Sequence, residues 1–197
     1  MPTNTASNLN LRLTVYCSLF TAFIIIGAYI SIPIPIGPVP IVPTDFFVML
    51  AGLFLGWKHG LVSVALYLFL GALGMPVFAG GRAGLAVFFG PTGGFLFGYL
   101  MVVASIGFIT SKLKPSMSTY LLALLVGNIL LYLIGVPWLK VVANLSWRAA
   151  YGAGLAPFIV GIVIKIVAAA ALAQALLPQF RQAYISADIR QAHNEDE

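Results

Sequence analysis

Acidic side chains are almost missing from this sequence: only five of its 197 residues are Asp or Glu. Four of them, Asp188 and the run Glu195-Asp196-Glu197, sit in the C-terminal tail, which leaves Asp45 as the one carboxylate near an apolar segment. No carboxylate pair is therefore available for general acid–base work. His59 lies in a short polar turn and His193 in the tail, neither beside a group it could activate or share a metal with. The single cysteine, Cys17, excludes a disulfide or a cysteine metal site within one chain and reads as a packing residue. The run Gly90-Pro91-Thr92-Gly93-Gly94 lacks the Gly-Lys-Ser/Thr ending of a phosphate loop, so no ATPase can be built from this chain alone. These shortages leave no expected catalytic residue, metal or cofactor. Charge of any kind is scarce, at 8% of residues, and a net charge of +5 scattered over loops is no nucleic-acid surface; it is what orients a protein in a bilayer.

What is abundant is apolar. Hydrophobic residues make up 61% of the chain and the mean hydropathy is +1.04, against about 45–50% apolar residues in soluble domains. The apolar runs have the length of membrane-crossing helices, and the weak alternation of a membrane barrel is absent. The expectation is an all-α integral membrane protein with six transmembrane helices: Leu11–Ile32, retained rather than cleaved as a leader, then Thr44–Trp57, Leu61–Leu73, Thr92–Thr110, Met117–Val136 and Gly154–Leu176. Residues 1–10 form a polar N-terminal segment, 11–178 the membrane domain, and 179–197 a polar tail behind Pro178, read as the stop of the sixth helix. Five prolines between Pro33 and Pro43 make an extended segment after the first span, and Trp57-Lys58-His59-Gly60 a tight connection after the second. Trp138, Lys140, Trp147 and Arg148 fall in an amphipathic connection before the sixth span.

Six spans put both termini on one side. Arg12, Lys58, Lys112, Lys114, Arg181 and Arg190 lie there, against Arg82, Lys140 and Arg148 opposite, so the positive-inside rule gives cytoplasmic termini in a multi-pass plasma-membrane protein. The proline segment, the loop after the third span and the fifth-to-sixth connection then share one outer mouth. That second loop is unusual: Gly71 to Gly98 holds nine of the chain's 20 glycines, interleaved with Phe, Val, Leu and Met rather than with the polar residues of a linker, as in a loop folded tightly over something.

A few residues stand out against this background. Lys165 lies near the middle of the sixth span, where a charge costs about 2.5 kcal/mol or more, and is a candidate to bind an anion such as a ligand carboxylate, or else to snorkel or pair with Asp45. Asp45, at the start of the second span, either complements the helix dipole or lines the outer cavity. Arg82 in the glycine-rich loop can meet an anionic group or lipid headgroups. Asn128 and Tyr132 share one face of the fifth span and offer an amide and a phenol to a polar ligand group or to a neighbouring helix. Phe78, Phe88, Phe89, Phe95 and Trp138 can wall an apolar pocket or face lipid.

The stretch MPVFAGGRAGLAVFFGPTGGFLFGY, Met75 to Tyr99, resembles the signature of the BioY family, the biotin-binding S components of energy-coupling factor (ECF) transporters. GPVPI after the first span, AGLFLG in the second, NILLYLIGVPWL in the fifth and PFIVGIVIK in the sixth extend the resemblance over nearly the whole apolar region. It implies a six-helix S-component fold with a biotin pocket near the outer face. It also implies partners: a transmembrane coupling protein, met by small residues of the first span such as Ser18 and Ala22, and a pair of cytoplasmic ATPases. Within the signature it adds Gly80, Gly81 and Thr92 to the ligand shell. Two positions depart from the family's pattern: Ile162 stands three residues before Lys165 where an aspartate is usual, and Thr44 where a glutamine is usual. Asp45 is thus expected to replace the missing partner of Lys165 or of a ligand ureido group. The reading that results is a biotin-binding uptake subunit driven by partner ATPases. Its alternatives are the same fold with altered specificity, for lipoate or another short-chain carboxylate, and a stand-alone secondary carrier, against which the absence of inverted repeats and of a continuous polar stripe speaks.

Overall fold

The computed structural model describes residues 5–33 and 38–194, with side chains for 12–33 and 38–180. The middle of the proline segment, the side chains of Arg181, Arg190 and His193, and the acidic end at 195–197 lie outside the described residues. The elements are α1 (Thr5–Tyr29), α2 (Thr44–Ala72), a 3-10 turn (Ala79–Gly81), α3 (Ala86–Phe89), α4 (Gly93–Lys112), α5 (Met117–Val142), α6 (Trp147–Gly154), a second 3-10 turn (Ala156–Phe158) and α7 (Ile159–Asn194).

Among the described residues, five helices are long and apolar enough to cross a membrane, and the second of them accounts for two of the six expected spans. At Gly56 the backbone of α2 takes φ 70° and ψ −174°, a combination open essentially to glycine alone, and the helix turns back on itself. A β-carbon placed on Gly60 would stand 3.1 Å from the carbonyl oxygen of Ala51, so the two halves run side by side. The reversal therefore falls at Gly56 itself, and Trp57 to Gly60, expected as a connection, already belong to the returning helix.

α4 packs between α2 and α5, with α1 on α2 and α7 against α5 and α2. Small residues set the spacing: a β-carbon on Gly107 would overlap the backbone of Gly56 and Trp57, and one on Gly52 would meet Ile106 at 3.0 Å. The buried core, with Val48, Met49, Val64, Val103, Ile106 and Leu124 at its centre, follows these contacts.

Three helix limits differ from the sequence-based expectation. α5 continues past Val136 to Val142 with Pro137 inside it, which draws Trp138 and Lys140 into the helix; only Trp147 and Arg148 fall in the amphipathic connection, α6. There Ser146 caps the helix through the Ala149 N–H, and Lys140 Nζ lies 5.2 Å from the Trp147 ring centroid. Pro178 does not stop α7, which runs on to Asn194: a proline removes one intrahelical hydrogen bond, and the surrounding turns carry the helix past it. At the other end, α1 begins at Thr5, inside the polar N-terminal segment expected to precede the first span.

Candidate ligand cavity

The end of α1, both ends of α2, the start of α4, the end of α5 and the start of α7 meet at one end of the bundle, and a cavity opens among them. Its walls come from the proline segment (Val39, Pro40, Val42), α2 (Thr44, Asp45, Tyr67), the glycine-rich loop (Phe78, Ala79, Arg82, Thr92), α4 (Phe95, Leu96, Tyr99), α5 (Leu131, Tyr132) and α7 (Lys165), closed by Gly154 and Phe158. Counting its open mouth, it encloses about 630 Å³.

Two loops form the lid. The proline segment is pinched into a loop by reciprocal backbone hydrogen bonds between Ile32 and Ile41, both 2.9 Å. In the glycine-rich loop, Phe78 is 1% exposed and stands edge-on to Tyr67 and Phe88, with its ring where a β-carbon on Gly71 would sit. The absence of a side chain at Gly71 is what admits this anchor. The Gly84 N–H donates to the Gly71 carbonyl at 2.7 Å and closes the loop.

The charged centre of the cavity joins residues 120 apart in sequence. Lys165 Nζ donates to Asp45 Oδ1 at 2.7 Å and to the Val42 carbonyl at 2.8 Å. The Lys165 side chain is 19% and the Asp45 side chain 8% exposed, so the two charges are held largely away from water and balance each other. The Val42 carbonyl is free for Lys165 because the chain before Pro43 is extended and α2 starts only at Thr44.

Of the residues singled out from the sequence, Lys165, Asp45, Thr44, Arg82, Thr92, Tyr132, Phe78 and Phe95 line this one cavity. The others are placed elsewhere. Asn128 is one turn deeper than Tyr132 and buried in the helix packing, where its Nδ2 donates to the Leu124 carbonyl at 2.9 Å and meets Met49 Sδ at 3.0 Å. Trp138 serves the lid from behind: its Nε1 donates to the Gly90 carbonyl at 3.0 Å, and its ring fills the space left by Gly94. Phe89 is 74% exposed at the end of α3 and takes no part in the cavity wall. Gly80 borders only an outer recess, and Gly81 lines neither space. Ser18 and Ala22 are exposed on α1. Tyr67 and Tyr99, both buried in the cavity wall, are additions to the residues expected from the sequence; a phenol within an apolar span is the signal that could have found them, since its hydroxyl needs a polar neighbour.

Comparison with known proteins agrees with this architecture. A crystal structure at 2.1 Å of the S-component for biotin from an ECF-type ABC transporter superposes with a TM-score of 0.81 at 33% identity, over 87% of this chain and 93% of that one. A biotin transporter BioY of Thermotoga maritima is 41% identical over 163 residues, covering 83% of this chain and 94% of the relative. One of Rhizobium etli is 38% identical over 173 residues, covering 83% and 91%. The model of the BioY family matches residues 2–182. The six crossing segments with a lidded cavity at one end thus define a membrane protein of the S-component fold. Within that class, the chain belongs to the BioY family.

Proposed function

We propose that this chain is the substrate-binding subunit of an ECF-type uptake transporter, that its substrate is biotin, and that it is a transporter component rather than an enzyme. The observation that carries the reading is the cavity itself: an apolar chamber with a few convergent polar groups, lidded by two loops, in a chain whose relatives are biotin transporters and whose structural neighbour is an S-component for biotin. Lys165, Asp45, Thr44, Thr92, Tyr132 and Arg82 form the proposed ligand shell. The apolar wall accepts the hydrocarbon and sulfur portion of biotin, and the polar groups its ureido ring and carboxylate.

Uptake would then need an energy source that this chain lacks, which is the part assigned to a coupling protein and a pair of ATPases. Ser18 and Ala22 favour the lipid-facing side of α1 as the surface for the coupling protein, since small exposed residues let another helix approach closely. The excess of basic residues at the end opposite the cavity supports cytoplasmic termini and an outward mouth.

The decisive experiment is calorimetric titration of the purified chain, without ATPases, with biotin and with lipoate. Biotin binding at submicromolar Kd, with lipoate much weaker, is the expected result. Tight lipoate binding without biotin binding would reassign the substrate within the same fold.

A further inference from the structure

We propose that a groove along α4, at the end of the bundle that holds the Gly56 turn, binds an anionic phospholipid, with an acyl chain between Trp57 and Phe108 and the phosphate held by Lys58 and Lys112. The proposal does not depend on what the cavity at the opposite end accepts.

The groove follows one face of α4. Met101, Ala104, Ser105 and Phe108 are spaced so that they line up along that face, and Trp57, just past the Gly56 turn, adds a wall from α2. The two helices can meet here because Gly107 has no side chain: a β-carbon on it would overlap the Trp57 backbone. Ala104 and Ser105 are small, and Ser105 Oγ donates back to the Val102 carbonyl at 3.0 Å, while Trp57, Met101 and Phe108 are large and exposed. From Met101 to Phe108 the groove runs about 10 Å along the helix. Counting its open side, it encloses about 660 Å³, and its apolar lining suits a hydrocarbon chain.

The charges at the end of the groove decide which lipid it fits. Lys58 Nζ lies 5.4 Å from the Trp57 ring centroid and Lys112 Nζ 5.7 Å from that of Phe108, so each ammonium rests over one of the two aromatic rings of the groove. Lys112 is also one turn beyond Phe108 on the same face of α4. Both lysines are exposed, and neither has a carboxylate partner among the described residues: Asp45, the only acid whose side chain is described, is in the cavity and paired with Lys165. Two such cations at the end of an apolar groove match a phosphate above its acyl chain. A zwitterionic headgroup would bring its own ammonium to the same place and be repelled. Trp57 marks the depth, because indole rings prefer the headgroup level of a bilayer. The groove is on α4 and the surface proposed for the coupling protein on α1, so lipid and partner do not compete for one helix.

The test is quenching of tryptophan fluorescence by bromine, which acts at contact. The full chain is reconstituted at physiological salt into phosphatidylcholine vesicles in which phosphatidylglycerol with brominated acyl chains replaces a rising share of the lipid; a second series carries the bromine on phosphatidylcholine instead. Trp57 is read as the difference from Trp57→Phe, which keeps a ring beneath Lys58. The wild type is expected to favour phosphatidylglycerol at Trp57 by about tenfold or more, with Lys58→Gln and Lys112→Gln each losing about fivefold and the double variant losing the preference altogether. Removing as much charge at the other end, in Lys140→Gln/Arg148→Gln, should leave it unchanged. Ala104→Leu fills the groove without touching either lysine and should reduce quenching by both lipids alike. Equal quenching by the two lipids in the wild type overturns the proposal and leaves the groove to ordinary lipid or to a partner helix. So does a preference that Lys140→Gln/Arg148→Gln lowers as much as the double lysine variant does, which would make it an effect of net charge. Quenching unmoved by Ala104→Leu would put the acyl chain outside the groove and overturns it as well.

Discussion

The two ends of this bundle use glycine for opposite purposes. At the end holding the Gly56 turn, Gly52, Gly60 and Gly107 remove side chains so that backbones touch: a β-carbon at any of them would press on Ile106, Val103, Ala51, Gly56 or Trp57. Thr21 Oγ1, donating to the Ser63 carbonyl at 3.0 Å, and Cys17 Sγ, 3.4 Å from the His59 carbonyl, tie α1 to the same region. At the cavity end, Gly81 and Gly84 have open space around them but positive φ, 72° and 87°. There glycine shapes a loop instead of closing a contact. The closed end is a frame set by backbone contact, and the cavity end a set of glycine-shaped loops mounted on it.

Breaking the frame should have the largest effect. Gly107→Val places branched carbons into the backbone of Gly56 and Trp57, which cannot yield as a side-chain tip can. A cost of about 3 kcal/mol or more is expected, read as a sharply lowered melting temperature and loss of the monodisperse peak in detergent. If Gly107→Val behaves as wild type, the closed end is not the rigid frame.

Gly71→Ala probes the joint between frame and loop. Its β-carbon would collide with the Phe78 ring, which is enclosed by Tyr67 and Phe88 and so has little room to rotate away. About 2 kcal/mol of stability should be lost, with faster biotin dissociation because the lid loses its anchor. Stopped-flow displacement and thermal melts measure the two effects, and a slowed or unchanged dissociation would show that Phe78 does not hold the lid.

How much of this is legible in the sequence depends on what each signal measures. Hydropathy marks segments that prefer lipid, so the six crossings and the three loops at one mouth are readable. The cost of charge in an apolar span singles out Lys165 and Asp45 without reference to their contact at 2.7 Å. Helical periodicity, by contrast, places residues on a face without saying what lies at each depth. Asn128 and Tyr132 share a face, yet one turn separates the helix packing from the cavity. Phe89 and Phe78 look alike in sequence, and only the folded loop shows one exposed and the other buried. Proline reads as a helix stop, but Pro137 and Pro178 both sit inside helices whose flanking turns hold them. Tyr67 and Tyr99 carry a signal only in their phenol hydroxyls, which need polar neighbours; as aromatic residues in an apolar span they are otherwise ordinary.

The smallest expected effect separates the two uses of glycine most cleanly. Gly84 has φ 87°, nothing within 4 Å of where a β-carbon would stand, and an N–H that holds the loop to the Gly71 carbonyl. Gly84→Ala therefore adds no collision, only backbone strain of about 1 kcal/mol. In the frame such strain would be carried by every folded molecule and would lower the melting temperature. In a loop that detaches to admit ligand, the strain is relieved in the open form and remains only in the closed, ligand-bound form. The cost should then appear in affinity, as a rise of about fivefold in the biotin Kd, with the melting temperature of the unliganded protein nearly unchanged. The reverse pattern, a lowered melting temperature at constant Kd, would mean that the glycine-rich loop belongs to the frame and that the proline segment alone opens the cavity.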